Sequence, residues 1–134
     1  MELTETRYRY SLFGTHGSID EARAAAIPIF GDIFKPHDSE YCGDYWLGYW
    51  RGEPFSGDEV RIRPNREWES LYEDAYPQFE TLLYVVGSDP AVEEAIMQQG
   101  FAPLQITESR FEQRPGERET FICSDTIFDA NAPQ

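Results

Sequence analysis

Residues 6–13 alternate cleanly. Tyr8, Tyr10 and Leu12 fall to one side, and Arg7, Arg9 and Ser11 fall to the other. A period of two predicts a half-buried strand with one wet face. Gly14-Thr15-His16-Gly17 closes it as a turn. Ser18-Ile19-Asp20-Glu21 then matches a capping box, in which hydroxyl and carboxylate each accept a backbone N–H at the start of a helix. The helix runs through residues 21–27. Pro28 stands too deep to be a starter and is expected to kink or end the helix near Ala26. Residues 29–34 have room for one further turn, and residues 35–39 read as loop.

Residues 41–51 carry Tyr41, Tyr45, Trp46, Tyr49 and Trp50. Large rings on both faces predict a strand covered on two sides or exposing one aromatic face. Residues 52–58 read as loop. Residues 59–63 alternate again and stop at Pro64, so the two segments are expected to pair as an antiparallel hairpin. Residues 65–80 form a long polar connection with scattered aromatics and room for a helical turn. Residues 81–86 are nearly all apolar, as in a central strand. Asp89-Pro90 suits an N-cap followed by the first helical position, and Gly100 suits the left-handed cap beyond that helix. That helix spans residues 90–99, and its stripe is Val92, Ala95 and Ile96, with room for Gln99. Residues 102–112 read as strand, 114–117 as turn and 119–123 as a short final strand. The end is expected to fray from Asp129.

The predicted fold class is therefore α+β: a largely antiparallel sheet with two helices packed on one face. The topology expected is a ferredoxin-like variant with added hairpin strands. Residues 1–128 would form a single domain and residues 129–134 a tail.

Composition sharpens this picture. The chain has 134 residues, enough for one domain, and is 40% hydrophobic and 15% aromatic, enough for a core. Its formal net charge is −14, which repels nucleic acid and anionic membranes. Direct binding to either is not expected. No apolar run approaches the ~18 residues of a membrane span, and Met1-Glu2-Leu3-Thr4-Glu5 lacks the pattern of a signal peptide. A cytoplasmic protein is expected. Cys42 and Cys123 make no disulfide framework and no CxxC pair. Each reads as a buried free thiol, while a disulfide between them depends on a separation that sequence does not give.

Signatures of catalysis are missing. The sequence has no GxSxG, no Walker A and no GxGxxG. His16, His37, Cys42 and Cys123 have no metal-ligand spacing, so no metal and no cofactor are expected. Asp44 with Glu67 or Glu69 could be nominated for sugar chemistry, but these read better as solvated surface acids.

The most informative feature is charge placement. Between Arg66 and Arg110 lie 43 residues without Lys or Arg. They hold nine acids: Glu67, Glu69, Glu73, Asp74, Glu80, Asp89, Glu93, Glu94 and Glu108. Such a window either steers a basic partner or serves solubility. The interspersed Trp68, Tyr72, Tyr76 and Phe79 favour a binding surface, because aromatics anchor interfaces. The expected partner-binding residues are Glu67, Trp68, Glu69, Tyr72, Glu73, Asp74, Glu93 and Glu94. An alternative ligand site combines Arg7, Arg9, Arg61 and Arg63, on one open sheet face if their strands are neighbours, with Tyr45, Trp46 and Trp50.

A small, acidic α+β chain with the aromatic segment Tyr45-Trp46-Leu47-Gly48-Tyr49-Trp50, then Val60-Arg61-Ile62-Arg63-Pro64-Asn65, then Leu82-Leu83-Tyr84-Val85-Val86, resembles the immunity proteins of bacterial polymorphic toxin systems. The likeness spans most of residues 5–112. It is one of size, charge and texture, and it assigns no individual residue a role. It implies a non-enzymatic cytoplasmic protein that binds and blocks a cognate toxin, often a basic nuclease. The competing expectation is a small-ligand module or small enzyme using the aromatic strand and the arginine face.

Overall fold

A computed structural model describes residues 2–39, 43–51, 58–67, 70–71, 73 and 75–132. In chain order the elements are β1 (Thr4–Thr15), α1 (Ile19–Phe30), β2 (Lys35–Ser39), β3 (Gly43–Arg51), β4 (Asp58–Pro64), β5 (Arg66–Glu67), β6 (Ser70–Leu71), β7 (Thr81–Val86), α2 (Pro90–Gln98), β8 (Ala102–Gln113) and β9 (Thr120–Asp129). Seven strands form one sheet in the order β2-β3-β4-β7-β1-β8-β9, and β5 pairs with β6 separately. Every pairing is antiparallel. The apolar segment 81–86 occupies the middle of this order, as its composition predicts. Residues 52–57, read as loop, lie outside the described residues, as do Tyr41 and Cys42.

Alternation divides the core in two. Phe13, Val60, Ile62, Leu83 and Val85 point to one face, where they meet Ala22, Ala26 and Phe30 of α1 and Ile96 of α2. Both helices therefore cover the same side. Leu12, Leu82 and Leu104 point to the other face, where Tyr76 and Phe79 of the 65–80 connection cover them. Each cluster removes large apolar side chains from water, worth about 1.5–3 kcal/mol per side chain.

Local signals place the helices. Ser18 and Glu21 form the reciprocal capping box at 3.1 Å in both directions. Asp89 caps α2 by accepting the Val92 N–H at 2.9 Å. Gly100 follows α2 with φ +96°, a conformation that side chains with a Cβ resist. Gly48 of β3 has a different role. A Cβ there would press on the Ile33 side chain at 2.7 Å, so the missing side chain lets the segment after α1 lie on the strand.

Four expectations need correction. First, α1 continues through Pro28 to Phe30. The proline forfeits one hydrogen bond near the helix end, and the packing of Ile27, Ile29 and Phe30 against the core outweighs it. Second, residues 35–39 form the edge strand β2, paired with β3. An edge tolerates Pro36, which cannot donate to a neighbour. Third, the 65–80 connection holds the two-residue strands β5 and β6. Fourth, β9 is a ten-residue strand that runs to Asp129. At its end Asp129 accepts the Tyr76 hydroxyl at 3.2 Å, and the Asn131 amide donates to the Ala75 carbonyl at 2.7 Å.

Candidate functional site

The described acids of the window fall in three separate places: the 65–80 connection, α2 with its N-cap, and the middle of β8. Trp68, Glu69, Tyr72 and Asp74 lie outside the described residues, and Glu67 is placed only as a residue of β5. Glu73 is half-buried. Its carboxylate accepts the Tyr84 hydroxyl at 2.8 Å, and its backbone N–H donates to Asn65 Oδ1 at 2.8 Å. Glu94 and Glu80 are exposed.

Glu93 overturns the expectation that it faces a partner, because it is only 3% exposed. Its two oxygens accept Arg9 Nε at 2.8 Å, Arg9 Nη2 at 2.6 Å and the Ser88 hydroxyl at 2.7 Å. Ser88 in turn accepts from Ser11 at 2.9 Å. The bidentate bond to Glu93 raises the Arg9 pKa and locks the guanidinium in its charged form. Asp89 and Glu108 are compensated too. Arg51 donates to Asp89 at 2.9 Å, and Arg7 donates to Glu108 at 3.1 Å. The N-cap bond from Val92, then Arg51, holds the Asp89 carboxyl below its ordinary range. Charge counted along the chain misses these arginines because they arrive from distant strands.

The alternative site does not assemble. β7 lies between β4 and β1, and the pleat sends the two arginine pairs to opposite faces. Arg9 turns toward α2, with Arg7 on the same side of β1. Arg61 and Arg63 lie on the other face, within 5.6 Å and 5.5 Å of the Tyr45 ring centre. Trp46 and Trp50 are under α1, where Arg23 stacks on Trp46 at 4.5 Å and Phe30 meets Trp50 edge-on. The Trp50 indole also donates to the Val86 carbonyl at 3.1 Å. What remains on the Tyr45 face is a concavity of about 230 Å³ lined by Glu59, Arg61, Arg63, Tyr84 and Val86. Glu59 already accepts from Arg61 at 2.9 Å.

His16 stacks on Phe79 and His37 on Tyr45. Among the described residues, no cluster of three or more His, Cys, Asp or Glu could hold a metal ion. Cys123 is a half-buried free thiol. Among the described residues, no helix is long and apolar enough to cross a membrane.

Two features escaped the sequence reading. Asn65, 1% exposed, organises the 65–80 connection by donating to Tyr76 and Phe79 carbonyls at 2.9 and 3.0 Å. Its only local signal is an Asn following the strand-ending Pro64. The second is the edge β9, which exposes Phe121, Ile122, Ile127 and Phe128. Nothing in a strand's own sequence says that its far side will lack a neighbour. Compared with known proteins, the chain matches no protein-family model, no curated protein and no solved structure.

Proposed function

We propose that this chain is a non-enzymatic binding protein that blocks a basic protein partner, in the manner of an immunity protein against a toxin nuclease. The observation that carries the reading is where its few cations go. Five of the eleven cations, Arg7, Arg9, Arg23, Arg51 and Arg61, each pair with a carboxylate of the same molecule. The surplus is therefore negative, and exposed acids such as Glu80 and Glu94 meet the solvent. A negative surface raises the encounter rate with a cationic substrate site and can fill it with carboxylates in place of phosphates. The small-ligand alternative is weaker, because its residues are divided between two faces. The concavity beside Arg61 and Arg63, about 230 Å³, is below the roughly 300 Å³ at which ligand pockets begin, and the larger one of about 410 Å³, lined by Pro64, Arg66, Pro77, Gln78, Phe79 and Glu80, contains none of that site's residues.

The order β8-β1-β7-β4 supports reading the central four strands as a ferredoxin-like variant. A helix follows β1 and another joins β7 to β8. The β2–β3 hairpin and β9 are the additions, one at each side.

The test is to capture a partner on the immobilised chain, identify it, and measure association by stopped flow across salt concentrations. The expected partner is basic, loses its activity at one equivalent of this protein, and associates more slowly as salt screens the field over a Debye length of about 8 Å. Reversing Glu80 and Glu94 together should lower the association rate. A partner indifferent to salt and to these reversals, or one still active when bound, would overturn the proposal.

A further inference from the structure

The two edges of the sheet are built differently. β2 is five residues long, begins with Lys35 and contains Pro36, the usual guards against a further strand. β9 has ten residues with neither Lys nor Pro. Seven large hydrophobics are strongly exposed among the described residues, and four of them are in β9: Phe121 55%, Ile122 40%, Ile127 50% and Phe128 38%. They stand as two pairs at either end of a regular stretch. Residues 123–126 pair in register with residues 107–110 of β8, and a register shift follows at each side. The aromatic row Tyr8–Phe111–Phe121 crosses β1, β8 and β9 in edge-to-face contacts and stops at the open side of Phe121.

The charges of the strand itself have one sign. β9 carries Asp125 and Asp129 and no Lys or Arg, with Arg118 and Glu119 just before it. A second copy of this chain, with a net charge of −14, would be repelled from it.

From these features we infer that β9 is the docking edge, and that its occupant is an extended segment of a basic partner that adds an eighth strand to the sheet. This deepens the proposed function and rests on it. The backbone N–H and C=O groups on the outer side of β9, where no described strand pairs, supply affinity that does not depend on the partner's sequence. The flanking pairs select apolar residues at both ends of the incoming strand, and Asp125 selects Arg or Lys near its centre. The occupant is thus apolar at its ends and basic in its middle.

The probe is a synthetic peptide of ten residues, the length of β9, with Val and Phe at each end and two Arg in the middle. Two twins accompany it, one with Gln in place of Arg and one N-methylated at alternate amides. Hydrogen exchange on the full chain reads where each binds, and light scattering reads the oligomeric state. The basic peptide should slow exchange in β9, weaken as salt rises, and bind at least about tenfold more tightly than the N-methylated twin, which cannot complete the ladder. Ile122→Lys and Ile127→Lys alter exposed positions and should leave the melting curve in place while weakening the basic peptide by a similar factor. Salt-sensitive binding that protects residues 73–94 and spares β9 would overturn the docking edge and leave the proposed function standing. A Gln twin that protects β9 as well as the basic peptide would overturn the basic occupant and with it the inference, while the proposed function would still rest on the salt dependence of the captured partner. No protection of β9 by any peptide, or a dimer of the free chain protected along β9, would overturn the inference.

Discussion

Glu93 and Glu94 are adjacent in α2 and carry the same formal charge, yet replacing them should have very different consequences. Glu93 is buried against a guanidinium whose side chain is 21% exposed, and it accepts three donors from Arg9 and Ser88. Glu93→Ala strands all three, and Glu108, 4.0 Å from Arg9, and the more distant Asp89 are left to compensate the charge. Removing one partner of a buried ion pair costs about 3–5 kcal/mol. Arg9 keeps some access to water, so about 3 kcal/mol is the better figure here. Against a total stability of roughly 5–15 kcal/mol for a domain, that is a large fraction. Glu94 is exposed and accepts from Gln98 at a long 3.4 Å, so Glu94→Ala should cost no more than about 0.5 kcal/mol. Urea denaturation followed by tryptophan fluorescence measures both. Replacing Arg9 and Glu93 together by Leu should recover much of the loss, since an apolar pair leaves no buried charge behind. A loss below about 1 kcal/mol for Glu93→Ala, or equal losses at the two positions, would refute the assignment of Glu93 to the interior. The contrast also bears on function: a charge-reversal scan of the acidic window that includes Glu93 would report unfolding as lost binding.

Asn65→Ala should cost about 2–4 kcal/mol, because the Glu73 N–H and two carbonyls lose their buried partner, and hydrogen exchange should rise across residues 73–79. Leu83→Ala, at a fully buried position in the central strand, should cost about 2–5 kcal/mol by denaturant titration, whereas an unchanged midpoint would deny the cavity. Burial and the bond to Asp129 push the Tyr76 pKa up to about 12. That stability is fully present below pH 10 and is lost as pH rises toward 12, a limb that Tyr76→Phe should shallow in an alkaline melt, leaving the shares of Tyr8 and Tyr10. Asp89, with its pKa lowered, contributes above the ordinary carboxylate range and loses that contribution as pH falls through its depressed value. Asp89→Ala should cost about 1 kcal/mol at neutral pH and progressively less in acid, as read by thermal denaturation.

The candidate surfaces were legible only where the chemistry is local. The Asp89 cap, the Ser18–Glu21 box and the left-handed Gly100 are written within a few residues of sequence, and the structure keeps all of them. The acidic window was also readable as a count. Its division into compensated and exposed acids was not, because Arg9 and Glu93 are 84 positions apart and meet only when β1 packs beside α2.

The alternation at residues 6–13 and 59–63 and the apolar run at 81–86 determine by themselves that these segments are strands and which side chains share a face. A strand's period is a property of its own backbone. Tertiary structure decided which strands are neighbours. It set β7 between β1 and β4, which placed Arg7 and Arg9 on the helix-covered face and Arg61 and Arg63 on the other. It drew Pro28 into α1 and Pro36 into an edge, where packing outweighed local preference. Among the described residues it also left β9 without an outer neighbour. Strand order is a sum of many weak contacts between residues far apart in the chain, so no short window of sequence contains it.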